Sequence, residues 1–490
     1  MFLRAISSTS PISPVRRIAL PAVVLALCLA VLATVAATTA RALEIQQVRS
    51  QKGITAWLVE DHTVPVIAMN YAFKGGGAAD PQGKYGLASF LSAMLDEGAG
   101  EMDSQAFQAR MEELAFSMSH SAGQDWFSGS FKTLSRNRDE SFRMLALALN
   151  RPRFDAKPLE RIRKQLIVAL RSEMQDPDHL AWLGFKRALF GDHPYARDPS
   201  GREEDLKRIT AEDLRGLHRR LFARSGLIVT VAGDIDAETL AKVLDEVFGD
   251  LPRTSGMPQT PKPAISAAGT RQVIDRAMPQ TIIYTGHEGL LRSDPDFIPA
   301  YVVNHILGGG GFGSRLNEVV REKNGLAYSV YSALFAYDRA GVFFAYASTR
   351  NEQAMRALKL MRAEIQRMAR EGPTEKELEE ARRYLIGSWP LRFDSNARIA
   401  SMLLAIRRDG LGIDYLKKRN ELIRAVTIQE ARRVAKRLLK PGALKTVLLG
   451  RPAPGDAEGA DKARGKAQGA TPGKAHSAPR PRTSAPAMAR

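Results

Sequence analysis

Two hydrophobic periods alternate along this chain, and their order repeats. Apolar residues at every second position, or in short unbroken runs, predict strands at Ile45–Val48, Thr55–Leu58, Val64–Phe73, Phe116–Ser121 and Trp126–Leu134. Apolar residues returning every three or four positions predict helices near 86–97 and at Ser104–Leu114, Ser141–Leu149, Pro158–Met174 and Leu180–Leu189. Thr210 with Asp213 has the spacing of an N-terminal cap for a helix reaching Phe222, followed by a buried strand at Gly226–Val231 and a helix at Ala237–Phe248. Residues 251–269, rich in Pro, Ser and Gly, break the pattern as a linker would. The order then begins again. Strands fall at Gln272–Val273 and Thr281–Tyr284, a helix at Phe297–Leu307, and strands at Ala327–Ala336 and Gly341–Ser348. Helices Asn351–Glu371, Thr374–Trp389 and Thr427–Leu439 follow, two of them with the capping pairs Thr374/Glu377 and Thr427/Glu430, before a closing strand at Ala443–Leu449. A repeat after about 210 residues predicts an α+β chain built by duplication, each mixed sheet carrying helices layered on one face, with the two halves clasping a cavity.

One of these helices has the frame of a catalytic site without its chemistry. Residues 86–98 read GLASFLSAMLDEG, which sets Ser89, Ser92 and Ala93 at i, i+3 and i+4 on one helix face. The inverted zincin motif H-x-x-E-H uses the same three positions for two zinc-binding imidazoles and a general base. A neutral hydroxyl is a poor zinc ligand beside imidazole or carboxylate, and alanine cannot coordinate at all. Read alone, the segment also fits an ordinary buried amphipathic helix.

The second half adds LGGGGFGSRL at 307–316 and REKNGLAYSVYS at 321–332. With residues 86–98 these segments resemble the pitrilysin/insulysin metallopeptidase family, which includes the mitochondrial processing peptidases, over roughly residues 45–450. The resemblance implies two processing-peptidase-like α/β roll domains forming half of a clamshell: an N-terminal domain at 43–250 and a C-terminal one at 270–450. It implies that Gly308, Gly309 and Gly310 line a wall for extended peptide, and that Arg321 and Tyr328 position substrate and polarise its carbonyl. It maps the family's distal acidic ligand onto Glu173, which without histidine partners reads as a solvated helix-face carboxylate. Zinc is then expected not in this chain but in a homologous partner subunit bearing H-x-x-E-H. Arg321 and Tyr328 also have an ordinary reading, as a solvated charge run and a buried ring.

Other chemistries find little support. The Gly-rich run lacks the Gly-Lys-Ser/Thr of a phosphate loop. No two of the eight histidines share a four-residue helical spacing, and His193, in Gly-Asp-His-Pro-Tyr, reads as a turn former. Serine catalysis at Ser89 or Ser92 would need an oriented base and a strained elbow, neither visible in the sequence.

Composition sets the compartment. Arg16 and Arg17 precede an apolar run from Ile18 to Ala37 and then Thr-Thr-Ala-Arg-Ala at 38–42, the order of a signal peptide cleaved after Ala42. Retention as an uncleaved anchor is the alternative. The lone cysteine, Cys28, lies inside this leader, so the mature chain would have no thiol to cross-link, in keeping with a bacterial periplasm. Of the formal charge of +18, the leader holds four Arg with no acid and residues 451–490 hold eight basic against three acidic residues, leaving +9 for 43–450. Nucleic-acid binding is therefore not expected, and the Ala-, Pro- and Lys-rich tail reads as a disordered solubilising segment whose membrane contact would be weak. The sequence thus supports a non-catalytic, substrate-positioning subunit of a periplasmic heterodimeric zinc peptidase. The alternatives are a stand-alone peptide-binding or scaffold protein and a zinc peptidase with an unrecognised site.

Overall fold

The computed structural model describes residues 44–453, so the leader and the tail beyond Ala453 lie outside the described residues. The first half contains β1 (Gln46–Arg49), β2 (Thr55–Glu60), β3 (Val66–Lys74), α1 (Leu87–Ser92), α2 (Ser104–Glu113), β4 (Ser117–Ala122) and β5 (Trp126–Leu134). It continues through α3 (Arg138–Asn150), α4 (Ala156–Glu173), α5 (Pro177–Phe190), α6 (Glu203–Leu206), α7 (Ala211–Leu221), β6 (Ile228–Gly233) and α8 (Ala237–Phe248). Residues 252–269 carry neither helix nor strand. The second half comprises β7 (Thr270–Ile274), β8 (Gln280–Glu288), α9 (Phe297–Asn304), β9 (Ala327–Ala336), β10 (Gly341–Arg350), α10 (Ala354–Glu371) and α11 (Glu375–Gly387). It ends with α12 (Asn396–Arg408), α13 (Tyr415–Ala425), α14 (Ile428–Leu438) and β11 (Lys445–Leu449).

The sheets run β1-β2-β6-β3-β5-β4 and β7-β11-β8-β10-β9. With β1 set aside they match strand for strand. A parallel pair (β2 with β6, β7 with β11) is followed by three antiparallel pairings in each. Three helices begin with reciprocal caps at Thr210/Asp213, Thr374/Glu377 and Thr427/Glu430, each satisfying N–H groups that the first turn leaves open.

Each sheet alternates its side chains between two buried faces. On the first sheet Leu58, Ile67, Met69, Tyr71 and Val231 point into the core formed with that half's own helices. The opposite face, with Trp57, Val59, Ala68 and Ala232, is covered by Ile399, Ala400, Leu403 and Ile406 of α12, which belongs to the second half. The reciprocal exchange sets Ala181, Phe185 and Leu189 of α5 on Ile282, Tyr284, Phe344 and Val447 of the second sheet. The expected layering of helices on one face therefore holds only for each half's own helices. The second face cannot be left wet because its alternate residues are apolar too. Arg407 fixes the α12 contact by donating to the Thr55 carbonyl at 2.9 Å and the Val229 carbonyl at 2.8 Å. The hairpin tips of the two sheets also meet: Trp126 Nε1 donates to Asp338 Oδ1 at 2.9 Å and the Asp338 N–H donates to Asp125 Oδ2 at 3.0 Å.

His287 offers a test of the second core. It is 2 % exposed. Its Nδ1 donates to the Glu288 carbonyl at 2.8 Å and its Nε2 accepts from the Lys440 N–H at 3.0 Å, an arrangement that needs the neutral ring. Burial pushes its pKa down to about 4. An unfolded imidazole takes up a proton below about pH 6.5, which the folded one refuses until about pH 4. Stability contributed by His287 is therefore complete above the upper limit and falls as pH drops through this window. His287→Asn is expected to flatten the pH dependence of urea-unfolding free energy across that window, by up to roughly 3 kcal/mol. An unaltered slope would contradict a buried neutral imidazole.

Candidate functional site

Helix α1 is shorter than its apolar pattern predicts, ending at Ser92 rather than running to 97. Ser92 Oγ donates to the Ser89 carbonyl at 2.7 Å, a back-bond that competes with helix propagation, and the chain then turns toward Gly98 at φ +108. The start of α1 is held by Asp80, whose carboxylate accepts from the Gly86 N–H at 2.8 Å and the Ala88 N–H at 3.1 Å. Burial lifts the Asp80 pKa to about 7 against the pull of those donors.

The other hydroxyl is committed as well. Ser89 Oγ donates to the Pro199 carbonyl at 2.7 Å, and Ala93, the C-cap, brings no polar atom. Zinc does not fit these three positions, because both available oxygens already direct their protons at backbone carbonyls and no imidazole or carboxylate replaces them. Nor does either serine contact a base among the described residues, so neither has there the proton acceptor that a nucleophile requires. The segment 197–201 lies against the head of α1 so closely that a Cβ on Gly201 would come within 2.2 Å of the Tyr85 carbonyl oxygen.

Glu173 ends α4, near the same segment, and the residue is only partly exposed. Its Oε2 is shut off from solvent and has no hydrogen-bond partner. Donor atoms of Glu173, His179 and Asp198 all lie within 4.8 Å of one another. His179 Nε2 is 2.8 Å from Asp198 Oδ2, and Asp198 Oδ1 accepts from the Ser200 N–H at 3.0 Å. Hydrogen bonding to Asp198 raises the His179 pKa. Burial pushes the Asp198 carboxyl up, but the His179 and Ser200 bonds outweigh it and hold it below the usual range. Sequence spacing could not find this group, since its members come from two helices and a loop; Glu-Met-Gln-Asp-Pro-Asp-His at 173–179 was the local signal. His193 behaves as expected of a turn former, accepting from the Tyr195 N–H at 3.2 Å.

The Gly-rich segment has a different geometry from a freely flexible wall. Helix α9 passes into a π turn at His305–Gly309, and a second π turn covers Asn317–Glu322. A Cβ on Gly308 would fall 2.4 Å from the Ser332 backbone nitrogen, so this glycine lets the turn pack on β9. Cβ atoms on Gly309 and Gly310 would meet Asn304 and His305, each at 2.8 Å. Gly311, at φ +63, and Gly313 have open space around them. Side chains at the first three glycines would thus run into their own domain, although Gly309 is exposed, whereas side chains at Gly311 and Gly313 would meet nothing.

Arg321 lies in the second π turn and Tyr328 is the second residue of β9. The guanidinium carbon sits 4.6 Å from the Phe312 ring centroid and 5.3 Å from that of Tyr328. Both rings are largely in solvent, with Phe312 66 % and Tyr328 83 % exposed, which overturns the buried-ring reading of Tyr328. Phe312 was not singled out by sequence reasoning, although a lone aromatic among glycines was the available sign. Among the described residues no hydrogen bond, ion pair or ring contact joins Arg321 or Tyr328 to Ser89, Ser92 or Ala93. A basic depression of about 310 Å³ beside Lys52, Arg224 and Arg253 shares no residue with either group.

Residues 208–385 match the family model described as "Peptidase M16 inactive domain". A Helicobacter pylori protein named non-peptidase homolog YmxG is 29% identical over 365 residues, covering 74% of this chain and 83% of that protein. An uncharacterized zinc protease of Streptomyces coelicolor is 32% identical over 225 residues, 45% of this chain and 49% of that one. The crystal structure of a peptidase M16 inactive domain from Pseudomonas fluorescens has a TM-score of 0.79 at 29% identity, covering 84% of this chain and 98% of the other. The periplasmic protease PqqL from Escherichia coli shares the fold, with a TM-score of 0.72 at 16% identity over 84% of this chain and 46% of that protein.

Proposed function

We propose that this chain, which belongs to the M16 (pitrilysin/insulysin-type) peptidase family as a member without the H-x-x-E-H motif, is the substrate-positioning subunit of a periplasmic heterodimeric zinc peptidase. The observation that carries the reading is the asymmetry between its two halves. Helix α1 offers no zinc ligand, whereas Arg321, half-buried and flanked by Phe312 and Tyr328, has no ion pair among the described residues. A guanidinium steadied by two rings and left with free N–H groups is suited to a peptide carbonyl presented from outside the chain. The partner would supply H-x-x-E-H, zinc and the general base. This chain would contribute the Arg321/Tyr328 pair and half of the enclosing surface.

The test is reconstitution. The mature chain and a homologous H-x-x-E-H chain from the same genome are purified separately, and cleavage of quenched-fluorescence peptides is followed for each alone and for the mixture. Strong activity confined to the mixture is the expected result. Failure of the two to associate, with activity unchanged on mixing, would discard the heterodimer.

A second reading, a stand-alone peptide-binding protein, is favoured by the sheet edges. Strands β4 and β9 each end their sheet, and an extended peptide could add to either by backbone pairing. It predicts peptide affinity in the lone chain.

A further inference from the structure

We infer that Glu173, His179 and Asp198 form a divalent-cation site, separate from the H-x-x-E-H positions, that ties the end of α4 and the start of α5 to the 197–201 segment lying over Ser89. Three independent backbone elements bring one imidazole nitrogen and two carboxylates within 4.8 Å of one another. A tetrahedral zinc ion with ligands near 2.1 Å spaces its donors roughly 3.4 Å apart, so the 2.8 Å His179–Asp198 contact would open by only ~0.6 Å to admit it.

The Glu173 oxygen decides between a cation site and a simple ion pair. An acceptor hidden from water without a partner costs about 1–3 kcal/mol, and more when charged. Were the cluster only a protonated histidine between two acids, the ring would be expected to donate to both. It makes a hydrogen bond to Asp198, but none runs from it to Glu173 among the described residues. A cation held by all three groups would satisfy that oxygen.

The surrounding charge permits it. Lys186, 4 % exposed, donates to the Arg197 carbonyl at 2.8 Å and places a positive charge near Asp198. With His179 neutral, two carboxylates and one ammonium still leave a net negative charge. The 197–201 segment also receives the Ser89 hydroxyl through the Pro199 carbonyl, so the cation would brace the region that faces α1.

The experiment is calorimetric titration of the dialysed, metal-stripped mature chain with zinc chloride and, separately, manganese chloride, with inductively coupled plasma mass spectrometry of the loaded protein. One ion per chain is expected for at least one of the two metals. Glu173→Gln, which keeps shape and removes charge, should weaken binding by at least about 10-fold, and His179→Ala should abolish it. His193→Ala, removing a histidine outside the cluster, should change nothing. Absence of saturable binding for both metals would overturn the site, as would binding that survives both Glu173→Gln and His179→Ala. Circular dichroism of Glu173→Gln separates loss of ligand from loss of fold.

Discussion

Phe185→Ala is expected to unravel the sheet of the half to which Phe185 does not belong in sequence. The ring is fully buried on α5 and meets Trp182 at 5.6 Å, Tyr284 at 5.8 Å and Phe344 at 6.2 Å between centroids. Tyr284 lies on β8 and Phe344 on β10, so two of these three rings belong to the second sheet. Truncating a buried phenylalanine costs about 3–5 kcal/mol, from lost transfer energy plus the cavity that the neighbours cannot fill. Rigid packing between strands leaves little room for collapse here, because β8 is paired on both sides, by β11 and β10. Urea unfolding should register a loss of that size, and hydrogen exchange should quicken at β8, β10 and β11. The reciprocal change, Leu403→Ala on α12, should act on β2, β3 and β6 at a cost of about 2–5 kcal/mol. If exchange quickened only within 177–190 after Phe185→Ala, α5 would be an appendage and the halves would not depend on one another.

That exchange of helices marks the boundary of what the sequence could tell. The period of residues 180–189 identified α5, and the alternation of Trp126–Leu134 gave β5 with the bounds it has in the structure. Periodicity reports that a face is apolar but not which surface covers it. Helix α12 was missed altogether, although residues 399–406 form an apolar run broken only by Ser401 between Arg398 and Arg407; the run does not reveal the surface it covers, nor that Arg407 donates inward to the Thr55 and Val229 carbonyls. Two-sided burial of the sheets was also hidden, since residues such as Ala68 and Ala232 look neutral in sequence and matter only once Leu403 packs on them.

The site divided in the same way. Loss of the zinc ligands was legible because it depends on three residues of one helix turn. The reason for Gly308 was not, because the atom that forbids a side chain there belongs to Ser332 on β9. Phe312 gained meaning only when the Arg321 guanidinium was found against it. Glu173, His179 and Asp198 converge from separate elements, and no fixed spacing links them.

Arg321→Ala in the reconstituted pair is expected to lower kcat by about 10²–10³-fold while leaving assembly intact, the range seen when one donor to a developing oxyanion is removed. The physical reason is preorganisation. With Phe312 at 4.6 Å and Tyr328 at 5.3 Å, the guanidinium is steadied before substrate arrives, so little ordering remains for the reaction itself. Tyr328→Phe keeps the ring but removes the hydroxyl, and should cost about 10-fold, the worth of one hydrogen bond. Phe312→Ala should fall between them by letting Arg321 wander without deleting its charge. Arg321→Lys should restore little, since a point ammonium cannot reproduce the planar fork. Assembly is measured beside activity by analytical ultracentrifugation, and kcat is separated from KM by saturation kinetics. A raised KM with unchanged kcat would place Arg321 in ground-state binding alone. Loss of association would move the Phe312, Arg321 and Tyr328 cluster from the substrate to the subunit interface, where an arginine between two exposed aromatic rings would serve as an anchor.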